Sequence, residues 1–198
     1  MSGKKKTFIL IALFVVLMVG ASVLYNSLSK NFQPDTLLSE NNNSNADSEN
    51  TAANESKNLA PNFTVYDLEG NEVNLTDFFG KPIIINFWAS WCGPCKMEMP
   101  DFNEAYQIYN EEITFLMVNI TDGSRETVEI ASSFIEDSGY TFPVYYDTAY
   151  RAAITYSVSS LPTSYFINAE GELVTYARGA IDAATLEKGI EMIYNIEQ

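Results

Sequence analysis

Histidine is absent from all 198 residues, and cysteine occurs only twice, at Cys92 and Cys95. The first absence removes His-based general base catalysis and His-ligated metal sites. It also removes c-type haem attachment, which would need a histidine where Lys96 follows Cys95. Two cysteines without further soft ligands cannot build a structural zinc site, so no metal is expected. Positive charge is scarce as well: 11 Lys and Arg stand against 26 Asp and Glu, for a net charge of −15. From Leu59 onward 6 basic residues face 21 acidic ones, so this region carries the whole imbalance. An acidic surface of this kind repels nucleic acid and anionic lipid and offers neither a direct binding face. No internal repeat is visible.

What is present near the start is a lysine triplet, Lys4–Lys6, followed by 17 uncharged, mostly apolar residues from Phe8 to Leu24. A basic flank before such a run is either a cleaved signal peptide or a membrane anchor. Val19-Gly20-Ala21 would serve as a cleavage site. The run is longer than a usual signal core of about 7–15 residues, which favours an anchor over residues 1–25. The positive-inside rule then leaves the lysines in the cytoplasm and the rest of the chain on the extracytoplasmic side, as a single-pass membrane protein. Residues 26–57 are rich in Asn, Ser, Glu and Asp and poor in large apolar side chains. Such a segment buries too little to offset its ordering entropy and reads as a disordered tether.

Residues 58–198 carry the patterns of one α/β domain. Phe63–Asp67 and Glu72–Leu75 flank a turn and read as a hairpin. Ile83–Trp88 is a continuous apolar run, the mark of a strand buried on both faces. Lys96–Asn110 has helical spacing, with Pro100 inside it. Ile113–Ile120 reads as a strand, Arg125–Ser138 as a helix, Phe142–Asp147 as a strand and Ala149–Tyr156 as a short helix. Thr163–Asn168 and Glu172–Ala177 form a second hairpin. Asp182 caps a last helix through Ile196, with Leu186, Ile190, Met192 and Ile193 on its inner side. The expected fold is a mixed central sheet flanked by helices.

The two cysteines sit between the buried strand and the first long helix, where α/β folds expose functional loops. Pro94 suits the first turn of a helix, because its missing N–H is not needed there. A helix N-terminus stabilises thiolate over thiol at Cys92. Cys95, one turn on, lies within disulfide reach. Such a pair can cycle between dithiol and disulfide, Cys92 attacking a substrate disulfide and Cys95 resolving the mixed disulfide. A structural bridge, two free buried thiols and half a metal site are the alternatives. A bridge closing so short a loop would constrain the unfolded chain little.

Trp91-Cys92-Gly93-Pro94-Cys95-Lys96 resembles the active site of the thioredoxin superfamily. Further stretches are similar to its membrane-anchored TlpA/ResA-type thiol–disulfide oxidoreductases: Ala60-Pro61-Asn62-Phe63, the Leu75–Gly80 turn, Asn86-Phe87-Trp88, Cys95-Lys96-Met97-Glu98-Met99-Pro100 and Leu161-Pro162-Thr163. This resemblance spans about Leu59 to Ile196 and implies a thioredoxin-like fold with an N-terminal hairpin. The unit from about Ser124 to Asp147 looks like the helix and strand by which the family extends the plain fold. The resemblance further implies a cis-proline at Pro162, with the Leu161 backbone free to pair with an extended substrate segment. It implies that Glu98 influences thiol ionisation, with a solvated helix glutamate as the alternative. Trp91 would shield the site.

Two departures stand out. Asn86 replaces the buried aspartate of plain thioredoxins, so a proton from Cys95 would have to go to Glu98 or to water. Gly93-Pro94 replaces the glutamate-containing pair interior usual in ResA-like chains, and leans towards a reducing potential near thioredoxin's, about −270 mV. The implied activity is disulfide reduction in exported proteins, apocytochrome c among them. No cofactor is expected beyond the Cys92–Cys95 disulfide itself. The implied partners are exported disulfide-containing proteins and a membrane electron donor of CcdA type. A thiol peroxidase is disfavoured because Ala89 stands where peroxiredoxins place Thr or Ser. A DsbA-type oxidase is disfavoured by the lack of histidine inside the pair. A thioredoxin-fold binding module would need neither cysteine nor Trp91 and Pro162.

Overall fold

A computed structural model describes residues 37–38 and 58–194. The basic and apolar segment expected as an anchor lies outside the described residues, as does all of residues 26–57 except Leu37–Leu38. No helix among the described residues is long and apolar enough to cross a membrane.

The strands are β1 (Leu37–Leu38), β2 (Thr64–Tyr66), β3 (Glu72–Asn74), β4 (Ile83–Trp88), β5 (Thr114–Asn119), β6 (Val144–Tyr146), β7 (Thr163–Ile167) and β8 (Leu173–Arg178). The helices are α1 (Gly93–Tyr109), α2 (Val128–Ser138), α3 (Arg151–Thr155) and α4 (Ala183–Ile193). One sheet runs in the order β1-β8-β7-β4-β5-β6-β2-β3. β4 pairs parallel with β5 and antiparallel with β7, and β5 pairs parallel with β6, so the sheet is mixed with β4 near its centre. β2 and β3 form the expected hairpin, and β7 and β8 the second one. Two residues of the expected tether, in β1, pair antiparallel with β8 at Ala177 and Tyr176.

Alternation along β4 sorts the core into two layers. Ile84 and Trp88 face a layer with Met99 and Phe102 of α1 and Leu186 and Ile190 of α4. Ile83, Ile85 and Phe87 face the other, with Phe63, Leu75 and Tyr156. Burial of all six β4 residues explains why the strand is apolar at every position but Asn86. Asn86 shares the face of Ile84 and Trp88 and is thereby aimed at α1.

Two helix starts and one side-chain orientation stand out against the sequence expectation. α1 begins at Gly93, earlier than Lys96, because Cys92 itself is the N-cap. α2 begins only at Val128, with Thr127 as N-cap accepting from the Ile130 N–H, so residues 121–126 form a loop. On α4, Leu186, Ile190 and Ile193 are buried at helical spacing, but Met192 is 45% exposed. Two residues beyond Ile190 is roughly 200° around the helix, which turns Met192 to solvent. Asp182 does cap α4, its carboxylate accepting from the Thr185 N–H at 2.9 Å.

α4 lies so close to β7 that a Cβ built on Gly189 would collide with the Phe166 ring. Gly189→Ala would gain about 1 kcal/mol in helix propensity. Overpacking at such a contact typically costs about 1–3 kcal/mol, and it dominates here because the Phe166 ring is fully buried. The variant is expected to unfold at lower urea concentration; an unchanged or raised midpoint would contradict the close helix–sheet approach.

Candidate active site

The C-terminal ends of the parallel strands β4 and β5 meet at one edge, with Trp88 opposite Asn119. The chain leaves β4 through Ala89-Ser90-Trp91 and enters α1 at Cys92. The Cys92 N–H donates to the Ala89 carbonyl at 3.1 Å, closing a tight turn. Cys92 Sγ in turn accepts from the Cys95 N–H at 3.2 Å. Cys92 is thus the N-cap of a 17-residue helix, where unpaired N–H groups and the helix dipole favour negative charge on sulfur. Pro94 occupies the first turn, as its missing donor allows. Cys92 and Cys95 are joined as a disulfide with Cα atoms 5.3 Å apart.

Cys95, Glu98, Met99, Phe102 and Ala105 are the buried face of α1, recurring at helical spacing. The family-implied site residues therefore fall together: Glu98 lies one turn beyond Cys95, facing the sheet where Asn86 waits. The carboxyl is only 2% exposed. Its Oε1 accepts from Asn86 Nδ2 at 2.8 Å, and its Oε2 from the Ile181 N–H at 2.9 Å. Asn86 Nδ2 also donates to Ser164 Oγ at 3.0 Å, tying β4 to β7. The solvated alternative for Glu98 is excluded. Burial raises its pKa to about 7, against the opposing pull of the Ile181 N–H and the Asn86 amide, while the Asp101 charge adds to the rise. Asn86 presents its amide hydrogens here, so of this pair Glu98 is the titratable group.

The Leu161–Pro162 peptide is cis. Leu161 and Ser160 face Trp91, Cys92, Gly93 and Pro94 across a groove of about 460 Å³. Trp91 is 41% exposed along this groove, whereas Trp88 is fully buried and belongs to the core. Among the described residues, no cluster of cysteine and acidic side chains is arranged to hold a metal ion. Ala89, at the position where a peroxidase would need a hydroxyl, is buried and offers none.

A second polar cluster was not legible in the sequence. Glu126 is fully buried, and its Oε1 accepts from the Ser90 N–H at 2.7 Å and Asn119 Nδ2 at 2.6 Å. Its Oε2 accepts from Ser90 Oγ at 2.6 Å. Arg125 lays its guanidinium 4.0 Å from the Trp91 ring centroid. Assigning 125–138 to one helix concealed these residues. The signal that would have separated them is Asp122-Gly123, a turn dipeptide, ahead of Thr127 as an N-cap.

Comparison with known proteins agrees with this geometry. The sequence profile of the AhpC/TSA family matches residues 57–176. Thiol-disulfide oxidoreductase ResA of Geobacillus kaustophilus is 36% identical over 135 residues, 68% of this chain and 75% of that protein. ResA of Bacillus subtilis is 33% identical over 135 residues, 68% of this chain and 73% of that one. The crystal structure of StoA from B. subtilis superposes with a TM-score of 0.57 at 27% identity, covering 67% of this chain and 98% of StoA. The exposed lipoprotein thioredoxin Etrx1 of Streptococcus pneumoniae gives 0.56 at 29% identity, covering 66% and 98%.

The raised pKa of Glu98 has a consequence for stability. A carboxyl that holds its proton more tightly folded than unfolded contributes stability that is complete below the unfolded pKa, near 4.5. That contribution is lost as pH rises through about 7. Glu98→Gln is expected to abolish this decline, measured as the difference in urea-unfolding free energy of the oxidised protein between pH 5 and pH 8. An undiminished decline in the variant would assign it to other groups.

Proposed function

The chain belongs to the AhpC/TSA family and is a thioredoxin-fold thiol–disulfide oxidoreductase of ResA type, and from that premise we propose that it works as a disulfide reductase on exported proteins. The observation that carries this is the Cys92–Cys95 pair at a helix N-terminus, bordering an apolar groove, with a buried carboxyl one turn behind it.

In the reduced enzyme the Cys92 thiolate attacks one sulfur of a substrate disulfide. A Cys92–substrate disulfide forms, and the first substrate thiolate leaves. Cys95 gives its proton to Glu98, which near neutrality is able to accept it, and the resulting thiolate attacks Cys92 Sγ. The second substrate thiolate leaves, and Cys92–Cys95 becomes the disulfide. Two electrons pass to the substrate. Its thiolates end protonated, one of the two protons returning from Glu98. Leu161, beside the cis-proline, offers its backbone across the groove to an extended substrate segment. The groove's apolar lining suits a segment with large apolar residues flanking its cysteine.

The lysine triplet and apolar run at the start support tethering to the membrane with this domain outside. In that compartment oxidation is the default, so each turnover needs two electrons delivered through the membrane. A dithiol-bearing membrane protein of CcdA type fits that requirement, and apocytochrome c, whose thiols must be free before haem attachment, fits as a substrate.

Turnover of a model protein disulfide tests the mechanism. Cys92→Ser should abolish it, and Cys95→Ser should accumulate a mixed disulfide visible on non-reducing gels. Full multiple turnover by Cys95→Ser would break the attack-and-resolve scheme.

A further inference from the structure

The loop between β5 and α2 reaches back onto the residues that precede the nucleophile. Asp122 Oδ1 accepts from three successive N–H groups, of Ser124 at 2.7 Å, Arg125 at 2.7 Å and Glu126 at 2.9 Å. Gly123 takes the left-handed φ of 73° that this winding needs, and its N–H donates to the Glu126 carbonyl at 3.0 Å. The wound loop sends two consecutive side chains to the same target. Glu126 turns inward to Ser90, while Arg125 covers Trp91.

A fully buried carboxylate is costly unless its lone pairs are filled. Glu126 has three donors within 2.7 Å, two of them from Ser90 and one from Asn119, which is itself fixed by Thr121 Oγ at 2.9 Å. Charge-assisted bonds of this length are the stronger kind. Two of them come from Ser90, the second residue before Cys92, and engage both its N–H and its hydroxyl. An apolar side chain at this place would leave the Ser90 N–H, the Ser90 hydroxyl and the buried Asn119 amide without this partner, so the carboxylate is what ties the segment before Cys92 to β5.

We infer that Glu126 is a positioning residue: by gripping Ser90 it keeps Cys92 at the N-cap of α1, where the Cys95 N–H and the helix terminus support the thiolate, and Arg125 completes the grip by fixing Trp91 as a wall of the substrate groove. This assignment rests on the thiol–disulfide function proposed above and adds a residue outside the cysteine motif to it.

Other titratable groups on the elements meeting at this corner include Asp122 and Arg125 on the loop, Glu129 in the first turn of α2, Asp147 after β6, Tyr150 before α3, and Lys96, Glu98, Asp101 and Glu104 on α1. Two variants separate positioning from simple electrostatics. Glu126→Gln removes both the charge and part of the grip. Ser90→Ala removes one hydrogen bond from the grip and no charge.

The readout is the rate of Cys92 alkylation by iodoacetamide in the fully reduced protein, followed against pH. Positioning predicts that Glu126→Gln moves the profile upward, so that the rate at pH 7 falls about tenfold. It predicts a smaller move in the same direction for Ser90→Ala, about threefold. Unmoved profiles in both variants, with only a lower unfolding temperature, would reduce Glu126 to a structural role. A downward move in Glu126→Gln, the effect of deleting a nearby negative charge, would also overturn the assignment. If Glu126→Gln fails to fold, Ser90→Ala decides alone. Alkylation involves no disulfide substrate, so this outcome is separate from the serine-variant turnover that tests the reductase function.

Discussion

The 2.8 Å hydrogen bond from Asn86 to Glu98 keeps a carboxyl group inside the interface between α1 and the sheet, and much of the site follows from that one placement. The group can be there only because the central strand supplies an amide donor on the correct face and the Ile181 backbone supplies a second. The alternation of β4 fixes the first, since Asn86 must share the side of Ile84 and Trp88. The spacing of α1 fixes the rest, since any residue three beyond Cys95 faces the same way. Burial then raises the carboxyl's pKa to about 7, where it can take and return a proton under physiological conditions. An aspartate at position 86 would have brought a second buried charge; asparagine donates instead, and leaves the proton to Glu98.

Two buried carboxyl networks of different character thus adjoin the segment that carries the disulfide. Glu98 lies behind Cys95 and has two donors, which do not offset its desolvation. Glu126 grips Ser90, two residues before Cys92, and has three donors within 2.7 Å. The first arrangement suits a group that changes protonation, and the second suits a group that holds a loop still. Both depend on the parallel pair β4–β5, which brings Trp88 and Asn119 side by side at the sheet edge.

Much of this was legible in the sequence where local pattern and tertiary role coincide. The β4 run, the cysteines at a strand-to-helix junction, the Asp182 cap and the two hairpins all follow from periodicity and turn chemistry. The cis bond at Pro162 was legible only through family likeness, and for Glu98 that likeness left a solvated position open, because a single proline or helix glutamate carries no such mark. Glu126 escaped both routes. Arg125-Glu126 runs without a break into the residues of α2, and its partners Ser90 and Asn119 are 36 and 7 residues away on other elements. Met192 was misplaced because it is apolar and adjacent to a genuine inward stripe; only the angle from Ile190 shows that it faces solvent. Leu37–Leu38 pairs with β8 although the surrounding composition gives no strand signal.

Whether the protein reduces or oxidises its substrates depends on the direction in which electrons leave the Cys92–Cys95 pair. The midpoint potential of that couple, determined by equilibration of the protein against glutathione and dithiothreitol buffers at pH 7, measures it directly. A value at or below about −250 mV is predicted, the range of a thioredoxin-like reductant. A value above about −150 mV would make the protein an oxidant of protein thiols and contradict the central claim.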